Sequence, residues 1–217
     1  MIIKKYGIKL IRLKREHIEF VRQKRNLEYI RDKMIYNTEI SIENQIKWFE
    51  SINNKHNFYF LIEYDNKFIG LINGKNVDYT SRTMEGGIFL WDTKYWKSHI
   101  PVIASIIMND CNFLISNFNF VFAQVLRNNR NAVKYNMSMG YEIVKETKNI
   151  VIMRLSRENY IKKSKKLRRA IGILYKDFDL LSLNDITIEE EKKQIDLLYS
   201  DLPNDIQDNI DRIIIKK

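Results

Sequence analysis

Three arginines near the front of the chain, Arg22, Arg25 and Arg31, are the first residues whose type and spacing suggest chemistry. A guanidinium binds phosphate through two parallel N–H bonds, so Arg25 and Arg31 could pair with a nucleotide diphosphate. Met34, Tyr36 and Trp48 follow, and could flank a base or a sugar face. Each has a plainer reading when taken alone. A single helical arginine is commonly a solvated ion-pair partner, and Trp48 at helical spacing is commonly core. It is the ordered set that points to a pocket. Three scattered histidines (His17, His56, His99) and one cysteine, Cys111, provide no metal-ligand spacing, so no metal is expected. The chain has no G-x-S-x-G, no G-x-x-x-x-G-K-[ST] and no G-x-G-x-x-G.

The 217 residues suffice for one good-sized domain, or a domain with an appendage. Hydrophobic residues at 45% and charged residues at 29% are ordinary for a globular protein. No apolar run approaches the roughly 18–20 residues of a membrane span, so no membrane partner is expected. The opening MIIKKYGIKLIRL reads as a strand and lacks a signal-peptide pattern. With one cysteine there is no internal disulfide, and cytoplasmic residence is the expectation. A net charge of +10 invites a nucleic-acid reading, but most of it is dispersed. The dense cluster KKSKKLRR, 162–169, reads as a solvated helix face, and nucleic acid is set aside as a partner. A basic surface also suits a polyanionic small substrate.

The elements that must position these residues follow from periodicity. Apolar residues at 8, 10, 11 and 13 predict a strand, and Ile18, Phe20 and Val21 a helix to about Arg25. Residues 26–38 look irregular. Ser41 is a good N-cap for a helix to about Ile52, with Glu43 in its first turn. Strands at 57–64 and 67–73 flank a tight Asp65-Asn66 turn, which is a hairpin signal. A further strand at 84–91 precedes the longest apolar helix pattern, 100–116, which buries Cys111. Strand 120–125, a helix from 130 to 139 and strands at 141–145 and 150–155 complete this part. The order predicts an α/β fold: a mixed sheet with an antiparallel front and helices on both faces. Residues 1–157 form the predicted domain. Residues 158–217 form a basic, then acidic, extension of two or three helices, packed on the core or on a second subunit. That leaves room for a homo-oligomer.

Residues 128–141, NNRNAVKYNMSMGY, organise this pattern: turn, short helix, glycine stop, new strand. Their N-x-x-A followed eight residues later by G-[FY] places Asn129, Ala132, Gly140 and Tyr141 as in the last part of a GNAT-superfamily acyltransferase core. With the element order, the chain resembles that family over about residues 8–154. The stretch 21–48 resembles one subgroup more narrowly, the nucleotide-sugar N-acetyltransferases of the pseudaminic-acid pathway. Its pattern, roughly R-x-W-R-N, I-R-x-x-M and I-S-x-E-x-H-x-x-W, is met at Arg22, Arg25, Asn26, Ile30, Arg31, Met34, Ile40, Ser41, Glu43 and Trp48. Lys24 replaces the tryptophan and Gln45 falls where histidine is common.

The resemblance implies acyl transfer from acetyl-CoA to an amine. The donor would lie in a wedge beside the strand 85–91, pairing with backbone at Leu90 and Trp91. Its pyrophosphate would sit at the next helix start, where free N–H groups favour anions. The family's glycine-rich turn is replaced here by Lys97, Ser98, His99 and Pro101, which supply a charge, side-chain donors and an early-helix proline. Asn129 would bond the pantetheine arm. Glu85, two residues before Gly87, matches the family's E-x-G and would be the base. The family's acid, a tyrosine, is replaced by Asn136, with Tyr135 one residue early and turned about 100° around the helix. Arg22, Arg25, Arg31, Met34 and Trp48 would line the acceptor side. The expected function is N-acetyl transfer to a nucleotide-linked amino sugar for a surface glycan. Its rivals are protein N-terminal acetylation and a binding or regulatory module that kept the fold without the chemistry.

Overall fold

The computed structural model describes residues 1–216. One nine-stranded sheet carries the chain, in the order β7-β8-β6-β5-β4-β3-β2-β1-β9. Strands β1 (Ile2–Lys5) and β2 (Ile8–Arg12) form a hairpin. Its turn residues Tyr6 and Gly7 both have positive φ, 50° and 72°, the geometry of a tight primed turn. The predicted single N-terminal strand is therefore two. Helices α1 (Ile18–Arg25), α2 (Glu28–Arg31) and α3 (Ile42–Ile52) follow, so the stretch expected to be irregular holds a short helix. Ser41 caps α3 as expected, accepting from the Asn44 N–H. Strands β3 (Phe58–Tyr64) and β4 (Lys67–Asp78) meet at Asp65-Asn66, again with both φ positive. Strand β5 (Thr83–Leu90) completes an antiparallel run.

The chain then crosses behind the sheet through α4 (Ile100–Asp110), which ends in a π-helical turn, Cys111–Ile115, rather than continuing as α-helix. It re-enters as β6 (Phe120–Leu126), parallel to β5. Helix α5 (Arg130–Met139) stops at Gly140, whose φ of 103° is the left-handed conformation expected of that glycine. Strands β7 (Glu142–Glu146) and β8 (Ile150–Ser156) close that side of the sheet.

On the front face, Val21, Ile30 and Phe49 of α1–α3 pack on Leu61, Leu71 and Trp91. On the back face, α4 is almost wholly buried over Leu10, Ile62, Ile72 and Val121. The tail contributes α6 (Arg157–Tyr175), a two-residue strand β9 (Ile186–Thr187), α7 (Lys192–Tyr199) and α8 (Asn204–Ile215). Its Tyr160, Ile171, Tyr199, Ile206 and Ile210 join the same back core, so the three helices pack on the chain's own sheet. A strand within the tail was not expected. It is a two-residue edge, too short to leave a pattern.

Helix α6 is held to α4 by a buried ion pair. Arg168 forks onto both carboxylate oxygens of Asp110, with Nη1 to Oδ2 at 2.9 Å, and the Tyr160 hydroxyl donates to Asp110 at 2.7 Å. Removing one partner of such a pair strands the other in the core. Arg168→Met is expected to lower the unfolding free energy by about 3–5 kcal/mol, and the added Asp110→Leu to recover most of it. Urea denaturation of both variants measures the difference.

Candidate active site

The site begins where two parallel strands part. Strands β5 and β6 pair at Thr83–Phe120, Met84–Val121 and Glu85–Phe122, and at no later rung. Both strands continue, β5 to Leu90 and β6 to Leu126. The β4–β5 register, with Trp91 N–H bonded to Ile69 O, turns the backbone of Gly86, Ile88 and Leu90 away from β4 and into the gap. On the other wall, Arg127 N–H bonds Asn149 O, which by the same alternation turns Phe122, Gln124 and Leu126 into the gap. The result is a slot lined by main-chain donors and acceptors. These groups fit an extended amide-bearing arm such as pantetheine.

Leu90 and Trp91 stand at the end of this slot, with buried side chains. The Leu90 carbonyl accepts from the Trp96 indole at 2.8 Å, and that of Trp91 from the Tyr29 hydroxyl at 2.7 Å. Ile88 on this wall keeps both backbone groups open to the slot, and Gly86 its carbonyl.

At the start of α4, Ser98 Oγ accepts from the Ile100 N–H at 3.2 Å, and Pro101 has no N–H. An anion placed there would meet the exposed Lys97 and the Val102 N–H. His99 points elsewhere: its Nε2 meets the Tyr175 hydroxyl of α6 at 3.0 Å. Asn129 Oδ1 caps α5 by accepting from the Ala132 N–H at 3.3 Å, which turns its amide end outward from the cap.

Glu85 occupies the last paired rung, on the front face. Lys75 Nζ lies 2.9 Å from Oε1, and Gln124 Nε2 donates to Oε2 at 3.1 Å. Burial, with the Glu85 charge nearby, pushes the Tyr59 phenol up to about 12. Trp48 stands edge-on to Tyr59, with ring centroids 5.1 Å apart. Beside them Gly87 faces Asn73, close enough that an added Cβ would lie 3.0 Å from Asn73 Oδ1. The fold thus sets Lys75 and Gln124 on Glu85, with Tyr59 nearby, Trp48 on Tyr59 and Asn73 facing Gly87. The front of β6 and β8 beyond them, Phe122, Gln124, Ile152 and Arg154, is left open by the helices among the described residues.

Of the two α5 residues considered for the acid, Asn136 donates to the Met153 sulfur on the back of β8. The Tyr135 hydroxyl donates to Pro101 O at 2.9 Å and bonds Ser105 Oγ at 2.7 Å, linking α5 to α4. Burial raises its pKa. Neither group faces Glu85.

The arginines turn inward. Arg22 forks onto Glu19 and donates to Ile40 O at 3.0 Å, and Asn26 bonds both backbone groups of Ile40. Arg25 Nη2 donates to Tyr36 O at 2.6 Å, while its Nη1 is buried with no partner. Together they fold the 35–41 loop back on α1. Arg31 is half-buried and Met34 packs on the front core. Two further buried donors on this side lack partners, Gln45 Nε2 and Asn73 Nδ2. An open pocket of about 600 Å³ lies by the end of β5, with Phe20, Tyr29, Phe68 and Trp91 as walls and Lys24 and Lys67 at its rim.

Residues 8–154 match the family model of the acetyltransferase (GNAT) domain. No curated protein matches the sequence. Among solved structures, apo FdhC, a nucleotide-linked sugar GNAT, aligns with a TM-score of 0.67 and 18% identity over 79% of this chain and 99% of its own. Spermidine N-acetyltransferase from Vibrio cholerae, solved with CoA and spermine, aligns at 0.63 and 16% identity over 72% of this chain and 99% of its own. A domain from Methanocaldococcus jannaschii aligns at 0.60 and 18% identity, covering 69% and 97%.

Tyr135→Phe separates linkage from proton donation. Loss of the bonds to Pro101 and Ser105 is expected to cost about 1–3 kcal/mol in thermal unfolding. Steady-state acetyl transfer should keep its kcat. A hundredfold fall in kcat would instead make Tyr135 the acid.

Proposed function

The chain belongs to the GNAT acetyltransferase family and is an acyl-CoA-dependent N-acetyltransferase, and from that premise we propose that its acceptor is the amine of a nucleotide-linked amino sugar. The observation that carries this reading is the open pocket at the end of β5, where Phe20, Tyr29, Phe68 and Trp91 form the walls and Lys24 and Lys67 stand at the rim. A substrate that carries phosphates meets two cations there. A polyamine would meet the same two lysines as like charges, with Asp92 as the carboxylate in the lining. The aromatic walls of the pocket at Trp91 also suit a planar base.

In this reading the acyl donor lies in the β5–β6 slot, bonded by the backbone of Ile88, with its phosphates toward Lys97 and Val102 and Asn129 beside the arm. The acceptor approaches over the open front of β6. Its nitrogen bonds to the thioester carbon, the C–S bond breaks, and Glu85 takes the amine proton. The thiolate leaves with CoA and is protonated from water. Lys75 and Gln124 hold the Glu85 carboxylate at the edge of the slot, and Trp48 and Tyr59 wall off its other side.

Purified protein incubated with acetyl-CoA and a panel of amino-sugar nucleotides, polyamines and peptides tests the acceptor, with mass spectrometry of the products. Acetylation confined to polyamines or peptide N-termini would overturn the proposal. Glu85→Gln is expected to lower kcat about 10²–10⁴-fold and to leave acetyl-CoA binding by calorimetry unchanged. Asn73→Leu removes an unpaired buried donor. It should raise the unfolding free energy by about 1 kcal/mol, read by urea denaturation.

A further inference from the structure

Helix α6 presents one side to the core and a very different side to solvent. Tyr160, Ser164, Ile171 and Gly172 are buried, and Leu167, Arg168 and Tyr175 lie along the same side. Opposite them, Lys162, Lys166, Arg169 and Ile173 recur at i, i+4, i+7 and i+11, which places them in a single outward row. Lys163 and Lys165 flank the row. No carboxylate among the described residues forms a salt bridge with any of these five cations.

The helix end exposes large apolar side chains, Ile173 within the row and Leu174 and Phe178 to either side of it. Ile173 is 64% exposed, Leu174 58%, Phe178 71% and Leu180 52%. Phe178 is fixed to the helix end. Lys176 ends α6 in the left-handed conformation, Asp177 N–H returns to Gly172 O, and the Phe178 ring lies against Gly172, leaving no room there for a Cβ. Of the nearby carboxylates, Asp177 is paired with Lys5 at 2.9 Å, while Asp179 and the more distant Glu158 remain in solvent.

From this juxtaposition we propose that the outward face of α6 docks the enzyme on an anionic lipid bilayer. Ile173, Leu174, Phe178 and Leu180 would enter the interfacial layer, and the lysines and Arg169 would rest on headgroup phosphates. A face with cations and large apolar side chains side by side is the makeup of interfacial attachment, where buried apolar area and anionic lipid act together. A second copy meeting this face across a two-fold axis would set one row of cations against another. A nucleic-acid backbone would leave the four apolar side chains without a role. The attachment would be peripheral, since among the described residues no helix is long and apolar enough to cross a membrane. It would also hold the start of α4 near the surface, because Tyr175 at the end of α6 touches His99.

Co-sedimentation of the full chain with phosphatidylglycerol–phosphatidylcholine vesicles tests this. Binding is expected at low salt, should fall as salt rises, and should be absent with phosphatidylcholine alone. The triple substitution Lys162→Glu/Lys166→Glu/Arg169→Glu is expected to weaken binding about tenfold or more, and Ile173→Ser/Leu174→Ser to weaken it severalfold. Both should leave the circular dichroism spectrum and the acetyl transfer rate in solution unchanged. Failure to sediment with anionic vesicles overturns the proposal, as does equal binding to neutral ones. An oligomer by light scattering that dissociates in Ile173→Ser/Leu174→Ser would make the face a contact between copies. RNA binding lost in the charge variant and kept in the serine variant would make it a nucleic-acid surface.

Discussion

The proposed active site depends on two adjacent parallel strands ceasing to pair. After the Glu85–Phe122 rung, β5 follows β4 and β6 follows β8, and each keeps its antiparallel partner instead of the other. Antiparallel pairing is somewhat the more stable per residue, which helps explain why the parallel contact is the one that yields. Main-chain groups in the opened slot need partners, since a buried unpaired N–H or C=O is costly. The chain supplies one itself through the Trp96 indole on Leu90. The remainder suits a ligand that carries amides in an extended chain. A binding slot thus follows from an interruption in a sheet, without a dedicated loop.

The split also separates the chemistry by face. Behind the sheet, α4 and α5 meet through Tyr135 and Ser105, and the helix start holds the anion-favouring groups. In front, Glu85 sits among Lys75, Gln124 and Tyr59, beside an open sheet surface. Donor and acceptor can therefore approach the same rung from opposite faces. At the α4 start Ser98 satisfies the Ile100 N–H and Pro101 has none, so an anion placed there would depend more on the charge of Lys97.

Local signals made most of the fold legible in the sequence. Asp65-Asn66 between two β-rich runs, the Ser41 cap and Gly140 after a short amphipathic pattern each specify their own conformation within a few residues. The Tyr6-Gly7 turn was hidden because tyrosine seldom takes positive φ, so the hairpin read as one long strand. Strand β9 depends on pairing with β1, which no local pattern announces. The spacing before Gly87 singles out Glu85 in the sequence, whereas no local pattern marks its neighbours. Lys75 pairs with Glu85 across β4–β5, and Tyr59 pairs with Asn73 across β3–β4, so the hairpin register already put them on one face. For Arg22 and Arg25 the spacing on the helix does not fix where the side chains point. Their direction is decided by a loop, 35–41, that folds back to offer them carbonyls.

The extension matters to the site through mechanics. Its helix α6 lies on α4 through the Asp110 pair at one end and through Tyr175 on His99 at the other. Tyr175 also covers Gly7, where an added Cβ would come within 3.3 Å of the ring, and Lys5 of the same hairpin binds Asp177. One helix therefore ties together the first hairpin of the sheet and both ends of α4. Interiors packed this closely transmit displacement rather than absorb it. A shift of α6 along its axis would move His99 and the turn before it, and with them the Trp96 indole that closes the end of the slot. The basic, partly apolar outer face of α6 is thus linked by direct contacts to the start of α4.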